Sequence, residues 1–214
     1  SASTLWDLAS LTKVVGLTSA MMLLVESRQV DLDAPVSRYI PEFQGKWKDA
    51  VTVRRLLTHS SGLPAWRPLN KKAESPAAAL TLASATPLDT MPGVRMVYSD
   101  LGVVIAGNIV ARVTGQPLDA FLQSRVFGPL GMRDTRYRPD SSLLGRIAPT
   151  EVDPWRQRHI RGEVHDENAY ALGGVSGHAG LFSTGHDVAR FCRALLGGGT
   201  IDGVRNPTLW ARTG

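Results

Sequence analysis

Apolar positions cluster into runs whose lengths predict helices. Val14 to Glu26 is too long and too uniformly apolar for a strand and predicts a largely buried helix. Leu101 to Thr114 predicts a second buried helix, ended by Gly115. Shorter helices are expected over 51–58, with Thr52 as N-cap, and over 76–85, with Pro76 in the first turn. Pro117 starts another, Leu118 to Val126, which stops near Gly128-Pro129. A last one runs from about Asp187 to Leu196, capped by Ser183 or Thr184 and closed by Gly197-Gly198-Gly199. Between these lie a turn-rich excursion over 27–43, a loop at His59-Ser60-Ser61-Gly62-Leu63-Pro64, a loop to about Ser75, and turns at Met91-Pro92-Gly93 and 131–135. Residues 140–170 are polar and aperiodic, and a loop of that length is usually functional. Residues 173–184 are dense in glycine, which predicts close-packed or positive-φ backbone.

Composition narrows the function classes. The chain has 214 residues, 43% hydrophobic and 20% charged, enough for one large domain or part of one with a sizeable core. The net charge of +5 comes from scattered arginines, which reads as a solubility feature and not as a nucleic-acid footprint. The single cysteine, Cys192, excludes an internal disulfide and is expected to fill core in an amphipathic helix. Residues 14–26 are too short to cross a bilayer and are flanked by Lys13 and Arg28. Ser1 reads as the middle of a domain, so any targeting segment is expected to precede it.

Candidate chemistry starts at Ser10 and Lys13. At the start of a helix, residues three apart share a face. A serine hydroxyl is a weak nucleophile until a base takes its proton, and a desolvated lysine can be that base. A helix N-terminus adds free N–H groups suited to a developing oxyanion. The simpler reading makes Ser10 an N-cap and Lys13 a solvated first-turn residue. Tyr98-Ser99-Asp100 is the second element. A phenol beside a cationic lysine can hold or relay a proton. The alternative makes Tyr98 a half-buried aromatic at the foot of a helix and Asp100 its N-cap.

Together these residues resemble the serine β-lactamase and penicillin-binding protein superfamily, and its class C β-lactamase-like branch with its esterases and D-aminopeptidases. The phrases that carry the resemblance are Asp7-Leu8-Ala9-Ser10-Leu11-Thr12-Lys13, Leu56-Leu57-Thr58-His59-Ser60-Ser61-Gly62-Leu63-Pro64, Tyr98-Ser99-Asp100-Leu101-Gly102, Pro129-Leu130-Gly131-Met132-Arg133-Asp134-Thr135 and Gly177-His178-Ala179-Gly180-Leu181-Phe182-Ser183-Thr184. The resemblance implies an α/β (α+β) fold, an antiparallel sheet flanked by helices with a large helical region over about 30–170. Residues 1–214 are then a single domain, expected to lack sheet strands at both ends. It implies Ser10 as the acylated nucleophile, Lys13 as its proton shuttle and Tyr98 as the general base that also protonates the leaving group. Asp100 stands where the family often has an asparagine contacting the lysine and substrate. A carboxylate there favours the ammonium and shifts proton transfer to Tyr98. Ser99 as proton carrier, in a degraded S-D-N motif, is the other framing.

The branch's third motif, K/H-T/S-G, has only Arg212-Thr213-Gly214 as a formal copy, placed far too early. His165-Asp166-Glu167-Asn168 resembles a phrase of a peptidoglycan-associated subgroup, which places His165 or Asp166 near substrate, with Gly180 also at the site. The histidine and carboxylates lack metal-ligand spacing, so no metal or other cofactor is expected. His59 and His178 read as structural, each satisfied by loop backbone. The implied function is hydrolysis of a peptidoglycan D-Ala peptide, a β-lactam or a small ester, without nucleic acid. The implied location is periplasmic or extracellular, any peripheral membrane or cell-wall association being made through segments outside the chain. The alternative is a non-catalytic sensor or an inactive fragment.

Overall fold

The computed structural model describes residues 1–196 and the strands Thr200–Ile201 and Val204–Arg205. The expected stop at Gly197-Gly198-Gly199 and the Arg212-Thr213-Gly214 triplet lie outside the described residues.

The first helical stretch opens at Leu11 and is wound as a π-helix over Lys13–Thr18 before becoming α1, Ser19–Glu26. The wide turn is supported by side chains reaching five residues back: the Thr18 hydroxyl donates to the Lys13 carbonyl at 2.8 Å. Gly16 lies inside it, and a Cβ there would come within 3.1 Å of Leu181 and 3.3 Å of Leu122. Glycine therefore lets this helix lie directly on the sheet. The sequence predicted a regular helix here. The π-turn is a departure of a kind frequent at functional sites.

Helix α2 (Val53–Leu57) is capped by Thr52, whose hydroxyl accepts from the Arg55 N–H. Helix α3 (Pro76–Ala85) is capped by Ser75, with proline in the first turn as expected. The segment before α3 forms a short 3₁₀ turn, Leu69–Lys71. Helix α4, Asp100–Thr114, is the central helix, buried along most of its length and ended by Gly115 at φ 67°. Its N-cap is Ser99, not Asp100: the Ser99 hydroxyl accepts from Gly102 N–H at 3.2 Å and donates to the Pro64 carbonyl at 2.7 Å. With both roles taken, Ser99 is not free to carry a proton. Helix α5 (Leu118–Leu122) continues as a second π-turn, Gln123–Phe127. One hydrophobic cluster joins these helices, with Met21, Leu24, Ile105, Ile109, Leu122 and Phe127 at 1% exposure or less.

Strands β1 (Trp6–Asp7) and β2 (Arg136–Tyr137) flank β5 (Leu181–Ser183) in an antiparallel sheet of order β1-β5-β2. Asp7 and Arg136 both pair with Phe182. The polar 140–170 region holds a 3₁₀ turn (Ser141–Arg146), a hairpin of β3 (Val152–Asp153) and β4 (Arg158–His159), and the start of α6 (Glu167–Ala171). Arg156 organises it by pairing with Asp153 and donating to the Val164 carbonyl at 2.8 Å and to the His165 carbonyl.

Helix α7 (Gly185–Leu196) takes its cap from Thr184, whose hydroxyl accepts from Asp187 N–H at 3.2 Å. Its inner face is Asp187, Phe191 and Ala194. Cys192 is one residue, about 100°, off that face. It is exposed, which corrects its expected role as core filler.

No single helix among the described residues is long and apolar enough to cross a membrane. The bent pair α4 and Leu118–Phe127 passes that test only jointly, and α4 is the core helix described above.

Candidate active site

Ser10 sits on a turn, not inside a helix. Ala9 before it has φ 45°, unusual for a residue with a Cβ. Asp7 holds this conformation by accepting from Ala9 N–H at 2.8 Å. Three tight backbone bonds follow: Leu11 N–H to Leu8 O, Thr12 N–H to Ala9 O and Lys13 N–H to Ser10 O, at 2.9, 3.0 and 3.0 Å. The turn is fastened to β5 at both ends, by Leu8 N–H to Leu181 O at 2.8 Å and by Leu181 N–H to Thr12 Oγ1 at 3.2 Å. The result presents an exposed Ser10 whose backbone N–H has no acceptor among the described residues.

Lys13 points the other way, into the protein, and is 8% exposed. Its Nζ has three oxygen partners: it donates to Ser10 Oγ at 3.0 Å and to the His178 carbonyl at 3.1 Å, and it forms an ion pair with Asp100 Oδ1 at 2.7 Å. Asp100 Oδ1 is itself buried and accepts no hydrogen bond among the described residues, so its tie to Lys13 is the ion pair. The expected meeting of Ser10, Lys13 and Asp100 is thus present, and Lys13 is not a solvated first-turn residue.

Tyr98 lines the same small cavity, about 180 Å³, with Ser10, Lys13, Leu57, His59 and Val103. Its ring centroid is 4.9 Å from Lys13 Nζ, so the ammonium faces the π-cloud. The Tyr98 hydroxyl has no hydrogen-bond partner among the described residues, and the ring is 49% exposed. His59, itself at φ 56°, brackets Tyr98: its carbonyl accepts from Val97 N–H at 2.8 Å and its Nδ1 from Ser99 N–H at 3.0 Å. The two rings pack against each other with centroids 4.6 Å apart and planes tilted by 41°. Burial, and then the Lys13 charge, hold the His59 imidazole below its ordinary range against the opposing pull of Asp100. The neutral ring this favours is the one able to accept at Nδ1. The expectation of a structural His59 satisfied by backbone fits this placement.

His178 departs from expectation. Its ring is held by side chains, not by loop backbone: Nε2 bonds Asp166 Oδ1 at 2.8 Å and Nδ1 bonds Ser176 Oγ at 2.7 Å. Asp166 also caps α6 by accepting from Ala169 N–H at 2.7 Å. His165 is not among the residues lining the cavity of Ser10, Lys13 and Tyr98. Its ring bonds Glu151 at 2.7 Å, and its N–H donates to Asp7 Oδ2 at 2.8 Å. Gly180 has φ 118°, and a Cβ there would lie 2.7 Å from the Gly174 carbonyl, so its glycine character serves a backbone crossing.

Three supporting residues escaped the sequence reading: Asp7, Ser176 and Asn168. Asn168 donates to Arg67 O at 2.9 Å and accepts from Asn70 N–H at 3.1 Å, pinning the 3₁₀ turn. Only the position of Asn168 after His165-Asp166-Glu167 pointed that way. A larger cavity, about 590 Å³, lies beside α3 and α6 and includes Asn70, Trp155 and Tyr170 but none of Ser10, Lys13 or Tyr98.

The family model described as Beta-lactamase matches residues 1–213. The chain belongs to the beta-lactamase family. A protein of Salmonella agona (strain SL483), provisionally named a D-alanyl-D-alanine carboxypeptidase, is 34% identical over 230 residues, covering 95% of this chain and 53% of that protein. Among solved structures, the D-amino acid amidase from Ochrobactrum anthropi SV3, complexed with L-phenylalanine amide, is 30% identical with a TM-score of 0.73, covering 96% of this chain and 59% of that one. A Beta-Lactamase/D-Alanine Carboxypeptidase from Pseudomonas syringae, 23% identical with a TM-score of 0.76, covers 94% of this chain and 54% of that one and shares the fold. The chain spans about half the length of these relatives. The beta-lactamase/transpeptidase-like fold, with its small antiparallel sheet and surrounding helices, is the one described above.

Proposed function

We propose that this family member, in its whole protein, is a serine hydrolase that forms an acyl-enzyme on Ser10. The observation that carries the reading is the 3.0 Å contact of Lys13 Nζ with Ser10 Oγ, in a lysine buried and anchored by Asp100. In this reading Ser10 Oγ attacks the substrate carbonyl, and the unpaired Ser10 N–H is one donor for the oxyanion. Lys13 is the donor toward both Ser10 and the His178 carbonyl and is paired with Asp100, so Lys13 orients Ser10 and stabilises negative charge on its oxygen. Tyr98, whose oxygen is uncommitted in the same cavity, takes the serine proton as the phenolate and, as the phenol so formed, returns it to the leaving group. Water then attacks the acyl-Ser10 ester and frees the serine.

The substrate class is an amide or ester next to a D-amino acid, with peptidoglycan D-Ala peptides first and β-lactams and small esters after it. Support comes from the names of the Salmonella and Ochrobactrum relatives. Such substrates place the protein outside the cytoplasm. The test is hydrolysis of a D-alanyl-D-alanine peptide, a D-amino acid amide, a β-lactam and an aryl ester, by the protein and by Ser10→Ala. Turnover of the D-alanyl peptide or amide that Ser10→Ala abolishes supports the reading. Turnover that survives Ser10→Ala, or none on any of the four, contradicts it.

A further inference from the structure

One of the two hydrogen-bond acceptors on Lys13 is a backbone carbonyl in a segment with little stiffness of its own. His178 follows Gly177 and lies two residues before Gly180, and glycine leaves a peptide free to rotate. Neither glycine can be replaced cheaply. A Cβ on Gly177 would lie 2.6 Å from the Val103 carbonyl of α4, and Gly180 crosses Gly174 as described. The close approach to α4 brings the His178 carbonyl to Lys13, but something else has to fix where that carbonyl points.

The His178 side chain supplies the anchor. It is 1% exposed and is gripped at both ring nitrogens, by Asp166 at 2.8 Å and Ser176 at 2.7 Å. Ser176 is gripped in turn, its carbonyl accepting from the Tyr137 hydroxyl of β2 at 2.9 Å. Because a hydroxyl both donates and accepts, Ser176 satisfies Nδ1 in either protonation state of the ring. Burial raises the Asp166 carboxyl, but the hydrogen bond and charge of His178, the Ala169 N–H and the Lys13 charge outweigh it and leave it below the usual carboxylate range. Asp166 is therefore an anion facing the ring. The chain Ser176–His178–Asp166 has the composition of a nucleophilic triad, yet at 5% exposure Ser176 offers no approach to a substrate.

We infer that Asp166, His178 and Ser176 are positioning residues for Lys13, fixing the His178 carbonyl that holds Nζ against Ser10. The inference rests on the Ser10–Lys13 reading above. It also makes the 140–170 region part of the machinery. Asp166 starts the helix whose Asn168 pins the 3₁₀ turn, so the loops around the site and the lysine are held by one connected set of bonds.

Two readouts test it, both by peptide mass spectrometry over a range of pH. One is the rate of Ser10 modification by a fluorophosphonate, resolved into probe binding and the bond-forming step. The other is the pH midpoint of Lys13 acetylation by acetic anhydride. In folded Asp166→Ala the bond-forming step should fall about ten-fold or more with probe binding unchanged, and the Lys13 midpoint should move. Asp166→Asn should restore most of the rate, because its amide oxygen still accepts from Nε2. Ser176→Ala should shift both readouts in the same direction by less, and it decides the matter if Asp166→Ala does not fold. Lowered thermal stability with an unchanged Lys13 midpoint and an unchanged bond-forming step would overturn the inference. If Ser10 is not modified even in the unaltered whole protein, the catalytic reading fails by itself. The Lys13 midpoint still decides this one: it should differ between Asp166→Ala and Asp166→Asn, which both lack the charge, and equal midpoints would overturn the inference.

Discussion

Lys13 Nζ lies closer to Asp100 Oδ1, at 2.7 Å, than to Ser10 Oγ, at 3.0 Å. Lysine is thus one half of an ion pair before it is a partner of the serine, and it is the donor in both of its hydrogen bonds. Proton acceptance then falls to Tyr98, whose hydroxyl is uncommitted. Tyr98→Phe should slow Ser10 acylation by about 100-fold or more, within the usual range for a lost general base. In an Asp100→Asn background the same change should have a smaller effect, because the neutral amide releases Lys13 to share the task. Acylation rates of the two single variants and the double variant measure the coupling. Additive effects would mean that Asp100 has no say in which group takes the proton.

The bond from Ser99 N–H to His59 Nδ1 needs an imidazole free to accept. His59 is held below its ordinary range, so an unfolded chain takes up this proton first as the pH falls. The contribution of His59 to stability is complete above the ordinary histidine value of about 6.5. It is lost as the pH falls through the lower folded-state value. The thermal midpoint of the protein should drop on acidification through this window, and that of His59→Gln should drop less. Parallel curves for the two would show that His59 does not brace Tyr98.

Much of this was legible in the sequence, for identifiable reasons. Pro76, Thr52 and Gly115 are local signals, acting within one turn of the helix ends they mark, and the structure uses them as read. The Ser10–Lys13 contact follows from i,i+3 spacing, and Asp100 from its place in the Tyr98 motif. What stayed hidden depends on distance along the chain. The His178 carbonyl reaches Lys13 across 165 residues, and the Asp7 carboxylate reaches His165 across 158. The π-turn at Lys13–Thr18 coincides with the close approach of Gly16 to Leu181 and Leu122, which periodicity does not encode. Cys192 was misplaced because the buried face of α7 is set by Asp187, a polar residue that an apolar pattern skips.

Asp187 holds β2 to α7 from within the core. Its Oδ2 accepts from Asp134 N–H at 2.8 Å and from the Thr135 hydroxyl at 3.0 Å, and Thr135 also bonds Ser183 of β5 at 2.7 Å. Removing a buried charged acceptor leaves these donors unpaired. Asp187→Ala should therefore lower unfolding stability by about 2 kcal/mol, as read by denaturant titration. A loss of a few tenths would contradict the role.

Gly180 combines φ 118° with a Cβ position 2.7 Å from the Gly174 carbonyl and 3.0 Å from the Tyr137 ring. Backbone strain and overlap reinforce each other there. Gly180→Ala should destabilise by about 2 kcal/mol or more, in the same titration. Gly115→Ala is the control, since nothing lies within 4 Å of its Cβ position and only its φ of 67° is strained.

The central claim is that the buried Lys13 activates Ser10. The most direct measurement is peptide-resolved mass spectrometry after exposure to a fluorophosphonate, on the unaltered chain, Ser10→Ala and Lys13→Met. The account predicts one adduct, on the peptide carrying Ser10, absent from Ser10→Ala and reduced by about 100-fold or more in Lys13→Met. An adduct on another serine, or a Ser10 adduct formed as fast without Lys13, would contradict it.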